Sequence, residues 1–287
     1  MVGNEVIATL ATRFPQLYVA PADGAQEAHA LASRRGIAPE GANLDHFATS
    51  AADELREVMT PAGSIEVVFL ANRADFETFL QIIGHKAMPD PISPTVGAIT
   101  YLGLADWGAV ARARRDYLEA GGEDWASEFV RLAKQTSAFR AEIVVISQGP
   151  YSNIASSETP YDEQEWLRIS REIRLHHECA HVVCRRLMPQ NVAPIWDEVT
   201  ADVVGLACAT GSYDAALAAR FLGVGEHGFT GGRLSEYVDD GQAARIDEVA
   251  ADVYGALTRI EAEATAADLA APFDFLLELK RAPLIAY

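Results

Sequence analysis

Basic residues are scarce in this chain: 23 Lys and Arg stand against 41 Asp and Glu, a formal net charge of −18. Such a surplus of negative charge repels phosphate backbones, so no nucleic acid partner is expected. Cysteine is scarcer still. Cys179, Cys184 and Cys208 are the whole complement, an odd number without the density of a disulfide scaffold, which predicts a reducing, cytoplasmic setting. Long apolar runs are missing too. The stretch from Ile65 to Ala71 contains Glu66 and falls far short of the roughly 18 residues that span a bilayer, so no membrane span is expected. Glu5 and Arg13 interrupt any apolar segment near the N-terminus and no basic stretch precedes it, which predicts no standard export signal. Internal repeats and low-complexity tracts are also absent.

What is present is an apolar supply, 49% of 287 residues, sufficient for one large core or two lobes. Helical periodicity dominates: Glu5 to Arg13, Ala25 to Arg35, Leu44 to Met59, Arg73 to Ile83, Trp107 to Ala120, Trp125 to Lys134 and Asp162 to Met188. Further helices are predicted over Trp196 to Thr210, Asp214 to Leu222, Gln242 to Ala262 and Ala266 to Arg281. Three runs rich in β-branched or aromatic residues predict strands: Ile65 to Ala71, Val96 to Leu102 and Ala141 to Ser147. The order predicts a helix-rich α+β fold, with an α+β lobe over 1–189 carrying a small mixed sheet and an all-helical lobe over 190–287. A site on the helix at that junction is expected to lie in a cleft between the lobes.

The most specific pattern is His177-Glu178-Cys179-Ala180-His181. On a helix, side chains at i and i+4 lie one above the other about 6 Å apart, so one divalent ion can take both imidazoles. Plotted at the helical period, Trp166, Ile169, Ile173, Ala180, Cys184 and Leu187 share a stripe with the two histidines, and Arg168, Arg171, Glu172 and Arg186 occupy the opposite side. The histidines therefore face inward. An inward imidazole needs partners for both ring nitrogens, which a metal and a carboxylate supply. Two core histidines satisfied by ordinary hydrogen bonds is the competing account.

Downstream, Pro189, Asn191 and Pro194 break the helix, and Glu198 and Asp202 share a face of the next one. A catalytic zinc takes three protein ligands and leaves a position open, so Glu198 fits as the third ligand beside His177 and His181. Asp202, one turn on, is placed to accept from the other nitrogen of a ligand histidine. A solvated acidic face is the bland alternative. Cys184 is an alternative ligand, disfavoured because three ligands from consecutive turns of one helix close a tetrahedron poorly.

His177-Glu178-x-x-His181 followed by Glu198-x-x-x-Asp202 resembles the gluzincin branch of the zincin metallopeptidases, over about 30 residues from Arg174 to Leu206. The run Glu198-Val199-Thr200-Ala201-Asp202 is similar to the E-x-x-A-D form of the Ste24/HtpX-type enzymes, which are membrane-embedded, unlike what is expected here. Cys184 and Leu187 stand where the metzincin branch has Gly and His. Thermolysin-like enzymes have Asn before the ligand Glu, where this chain has Asp197; the resemblance leaves open whether Asp197 shares or replaces the role of Glu198.

The resemblance implies one Zn2+ per chain, a peptide or protein substrate, and hydrolysis with Glu178 as general base. Zinc polarises the carbonyl, and Glu178, about 100° round the helix from His177, takes a proton from water and passes it to the leaving amine. A further donor for the tetrahedral oxyanion is sought among His227, Arg233 and Tyr237, in a segment loosened by Gly228, Gly231 and Gly232. Zincins also hold extended substrate along an edge strand, for which Ala141 to Ser147 is the candidate, an internal strand being the alternative. Against the enzyme stands a catalytically inactive zincin-like zinc-binding or protein-interaction module. Glu178 argues for catalysis, since a structural site gains nothing from an unliganded carboxylate there.

Overall fold

The computed structural model describes residues 4–135, 137–189 and 193–285. It is a helix-rich α+β protein with a small mixed four-stranded sheet. Contacts divide it into two compact units, one of 1–57, 66–93 and 100–147, the other of 58–65, 94–99 and 148–287.

The early elements are α1 (Asn4–Arg13), α2 (Gln26–Arg35), β1 (Glu54–Thr60), β2 (Gly63–Leu70), α3 (Arg73–Ile83), β3 (Ala98–Ala105), α4 (Trp107–Glu119), α5 (Trp125–Ala133) and β4 (Arg140–Ser147). Strand order is β1-β2-β4-β3. The two inner strands pair in parallel, Val67 opposite Val144 and Phe69 opposite Ile146. Each contains a continuous buried apolar run, Val67 to Leu70 and Ile143 to Ile146, as strands covered on both faces must. The strand expected to offer an edge, Ala141 to Ser147, is thus internal, and the edges are β1 and β3. In the first unit Arg13 ties α1 to Glu66 of β2 at 2.6 Å and to Asp106 at 2.9 Å. Asp106 in turn caps α4 by accepting from Ala109 N.

The helix expected over Leu44 to Met59 does not form. Its second half is β1, and the preceding loop is organised by two buried carboxylates: Asp75 accepts from Ala48 N and Thr49 N, and Asp53 from Ser50 N and Ala71 N. These bonds satisfy the backbone without a helix, and pairing in the sheet overrides the local periodicity.

The second unit holds α6 (Glu163–Leu187), α7 (Pro194–Thr210), α8 (Ala215–Leu222), β5 (Val224–Gly225), β6 (Gly228–Phe229), α9 (Asp240–Ala243), α10 (Ile246–Glu263), α11 (Ala266–Ala270) and α12 (Pro272–Arg281). The expected all-helical lobe therefore includes the small β5–β6 hairpin. Two predicted helices are each broken in two. One breaks at Ala244 and Arg245, the other before Pro272, whose ring lacks an N–H and suits the first position of α12. Asn191, part of the predicted connection before α7, lies outside the described residues.

Asp162 caps α6, its side chain accepting from Glu165 N, and Gly211 ends α7 in the left-handed conformation. Trp166, Ile169 and Ile173 of α6 pack with Trp196, Val199 and Val203 of α7 in one buried cluster. The helices approach so closely that a Cβ on Gly205 would stand 2.9 Å from the Ile173 carbonyl oxygen. The apolar residues of the predicted inward stripe of α6 are buried except for Leu187, which is 46% exposed at the end of the helix; of the two histidines His177 is buried and His181 partly so. The boundary expected between 189 and 190 falls between these two helices, within one unit.

Candidate metal centre

Packing α6 against α7 brings three side chains to a point. Donor atoms of His177, His181 and Glu198 all lie within 4.8 Å of one another. The two Nε2 atoms are 3.0 Å apart, and each is 3.4 Å from a different oxygen of Glu198. The three residues form a group able to hold a metal ion.

The outer nitrogens explain why the inner ones converge. His177 Nδ1 donates to Asp202 Oδ1 at 2.8 Å and His181 Nδ1 donates to Asp197 Oδ2 at 2.8 Å. With each Nδ1–H committed to a carboxylate, the neutral rings present two Nε2 lone pairs to the same space. Nitrogens so close need a proton or a metal cation between them, and with Glu198 beside them the donor set fits a divalent ion. Asp197 and Glu198 therefore differ in place: Asp197 holds the His181 ring from behind, and Glu198 faces the two Nε2 atoms. The acidic pair is no solvated surface, since Asp202 is fully buried and the Glu198 side chain is only 14% exposed.

Each carboxylate behind a histidine is itself paired. Arg233 Nη2 donates to Asp202 Oδ2 at 2.7 Å, and the Tyr151 hydroxyl donates to Asp202 Oδ1 at 2.6 Å. Behind His181, Lys280 of α12 donates to Asp197 Oδ1. Burial alone would lower the His181 pKa, but hydrogen bonds and charge from Asp197 and Glu198 outweigh it and raise it to about 10 in the metal-free chain. His177 is likewise raised against the effect of burial, by Asp202 and Glu198. Burial works to raise the carboxylates, yet Glu198 is held well below the usual range by His177 and His181, and Asp202 below it by Arg233 and His177.

A cavity of about 130 Å³ opens beside the three donors. Glu178 lines it, as do Arg233 and Tyr237, so the proposed base and two of the three oxyanion candidates meet the donors there. His227 does not. It is exposed in the β5–β6 turn and is not among the lining residues, because the hairpin carries it outward. Arg233 is buried and committed to Asp202, with Nη1 3.6 Å from Glu198. Tyr237 is buried enough that its pKa rises well above the ordinary phenol value, so its hydroxyl keeps its proton. Cys184, the alternative ligand, is buried and outside the donor group, its thiol pushed up to about 11 by burial. All the lining residues belong to the second unit.

The chain matches one family model over residues 3–268. It belongs to that family, DUF7005, a family of unknown function. The match takes in every donor and lining residue of the centre and ends before α12. No curated protein and no solved structure matches the chain.

Three contributors were missed in the sequence. Tyr151 lies in a loop with no motif, and Thr95 to Ala98, which also line the cavity, read only as a connection and the start of a strand. Lys280 had a signal: it falls four residues after Leu276 on the apolar side of an amphipathic helix, where a lone cation requires a partner.

Proposed function

We propose that the protein is a zinc-dependent peptidase in which Glu178 is the general base. The observation that carries this reading is the convergence of two carboxylate-held imidazoles and Glu198 on one point beside a cavity that Glu178 lines. The donor set of two nitrogens and one carboxylate oxygen is that of a catalytic site with a position left open, and the resemblance to gluzincins supports the same assignment. A zinc ion held by His177, His181 and Glu198 supplies Lewis acidity toward water and a peptide carbonyl.

The chain's own groups do the rest. Glu178 takes a proton from the attacking water and delivers it to the departing amine, ending unchanged. The protonated Tyr237 hydroxyl donates to the oxygen on which charge develops. Arg233, held by Asp202, adds positive charge on the same side of Glu198. The residues leading into the edge strand β3, rather than β4, meet the backbone of an extended peptide, since Thr95 to Ala98 line the cavity.

The setting fits a reducing cytoplasm. All three cysteines are free, and among the described residues no helix is long and apolar enough to cross a membrane. Glu178→Gln provides the test. It should keep the metal and lose peptide cleavage by at least about 100-fold. A variant that retains both overturns the catalytic assignment, and a wild-type chain that binds zinc but cleaves no peptide in a broad library favours the binding module.

A further inference from the structure

Behind the two ligand histidines lie two carboxylates, and each is tied to one buried cation. For Asp202 that cation is Arg233, at 2.7 Å. For Asp197 it is Lys280, whose side chain is only 1% exposed. Lysine is almost never so buried unless its charge is answered, and Asp197 answers it. Asp197 uses its two oxygens separately, Oδ1 on Lys280 and Oδ2 on His181 Nδ1 at 2.8 Å.

The placement of α12 makes this pairing specific. Trp196, the residue before Asp197, donates its indole N–H to the carbonyl of Leu279, the residue before Lys280, at 3.1 Å. Two consecutive residues of α7 thus meet two consecutive residues of α12. Leu276, one turn earlier on α12, is fully buried among Ala180, Val183, Cys184, Ala201 and Val204 of α6 and α7. The register of α12 is therefore set by apolar packing and one bond from the Trp196 side chain to the main chain, independently of the ion pair.

Resting on the metal-site reading above, we propose that Lys280 is a positioning residue for the metal. It fixes Asp197 so that Oδ2 faces His181, which keeps the His181 ring in the tautomer and orientation that direct Nε2 at the ion. The Asp197 side chain is 36% exposed, and an aspartate with that access to water is free to rotate away from the ring unless one oxygen is held. An asparagine at this place, as in the thermolysin-like pattern, would accept from Nδ1 without bringing a charge. The carboxylate brings a negative charge that Lys280 balances, as Arg233 balances Asp202. The C-terminal helix is thereby part of the metal centre although it lies 83 residues along the chain from Asp197.

The test measures zinc affinity and the visible spectrum of the cobalt(II)-loaded chain for the wild type, Lys280→Met and the double variant Asp197→Asn with Lys280→Met. Lys280→Met should weaken zinc binding about tenfold and shift the cobalt bands, because the ligand ring turns. The double variant should return to within about threefold of wild type, since the two changes are coupled and no uncompensated charge remains. A Lys280→Met chain with wild-type affinity and spectrum, merely less stable, overturns the inference while leaving the metal site intact. A double variant that binds no better than Lys280→Met also overturns it. If Lys280→Met does not fold, the double variant decides: a folded chain with near wild-type affinity supports the pairing, and loss of binding contradicts it. A folded wild type that takes neither zinc nor cobalt removes the metal reading and this inference together.

Discussion

The two histidine arms of the centre perform the same task in different surroundings. On the His177 side Asp202 is wholly buried, held by Arg233 and by the Tyr151 hydroxyl. On the His181 side Asp197 is partly open to water and, besides the histidine, is held by Lys280 among the described side chains. Burial separates what each carboxylate contributes. A buried charge left without its partner costs several times more than a half-exposed one, so the Asp202 arm couples the metal site to the stability of the unit. In the proposed centre the Asp197 arm should act on metal binding more than on the fold.

Breaking the buried arm should have the largest effect. Asp202→Ala leaves the Arg233 guanidinium without its carboxylate and should destabilise the protein by about 3–5 kcal/mol. Denaturant titration of the metal-free chain measures this, and a loss below about 1 kcal/mol would put Asp202 at the level of an ordinary hydrogen bond. Asp197→Ala should come next and should divide differently. Zinc affinity should fall about 10–100-fold, while the metal-free chain loses less stability than Asp202→Ala does. Equal stability losses for the two variants would erase the distinction between the arms.

The pH response sharpens the comparison further. In the metal-free chain the raised histidines contribute stability that is fully present below their unfolded value near 6.5. For His181 that contribution is lost as the pH climbs to about 10. The depressed carboxylates Asp197, Glu198 and Asp202 act oppositely: their contribution is present above about pH 4 and is lost as the pH falls. Zinc needs the neutral imidazoles, so it competes with the proton that His181 holds up to about 10. The rise in Tm on adding zinc should therefore be greater at pH 8.5 than at pH 6 by several degrees, about 1–3 kcal/mol of linkage. An equal rise at both values would mean that the ion does not displace those protons. The smallest effect belongs to the turn: His227→Ala should leave zinc affinity and Tm unchanged within about 0.5 kcal/mol.

The donor group was legible because its spacings are local. His177 and His181 share a face of α6, and Glu198 and Asp202 share a face of α7, both by the i, i+4 geometry that holds on any helix. What was not legible depends on chain approach that spacing does not encode. Tyr151 reaches Asp202 across 51 residues and Lys280 reaches Asp197 across 83. His227 and Tyr237 flank the same glycine-rich stretch, and only packing decides which side chain turns toward the donors. In the first unit the helical pattern of Leu44 to Met59 misled for a related reason. Buried Asp75 and Asp53 gather the loop, and β2 recruits the remainder into the sheet. The α+β class itself followed from the apolar runs of β2 and β4, whose β-branched composition matches their burial on both faces.

Zinc content of the purified protein beside a His177→Ala variant, measured by elemental mass spectrometry on folded samples, tests the central claim most directly. The account predicts about one ion per wild-type chain and almost none in the variant. The same metal content in both would contradict it.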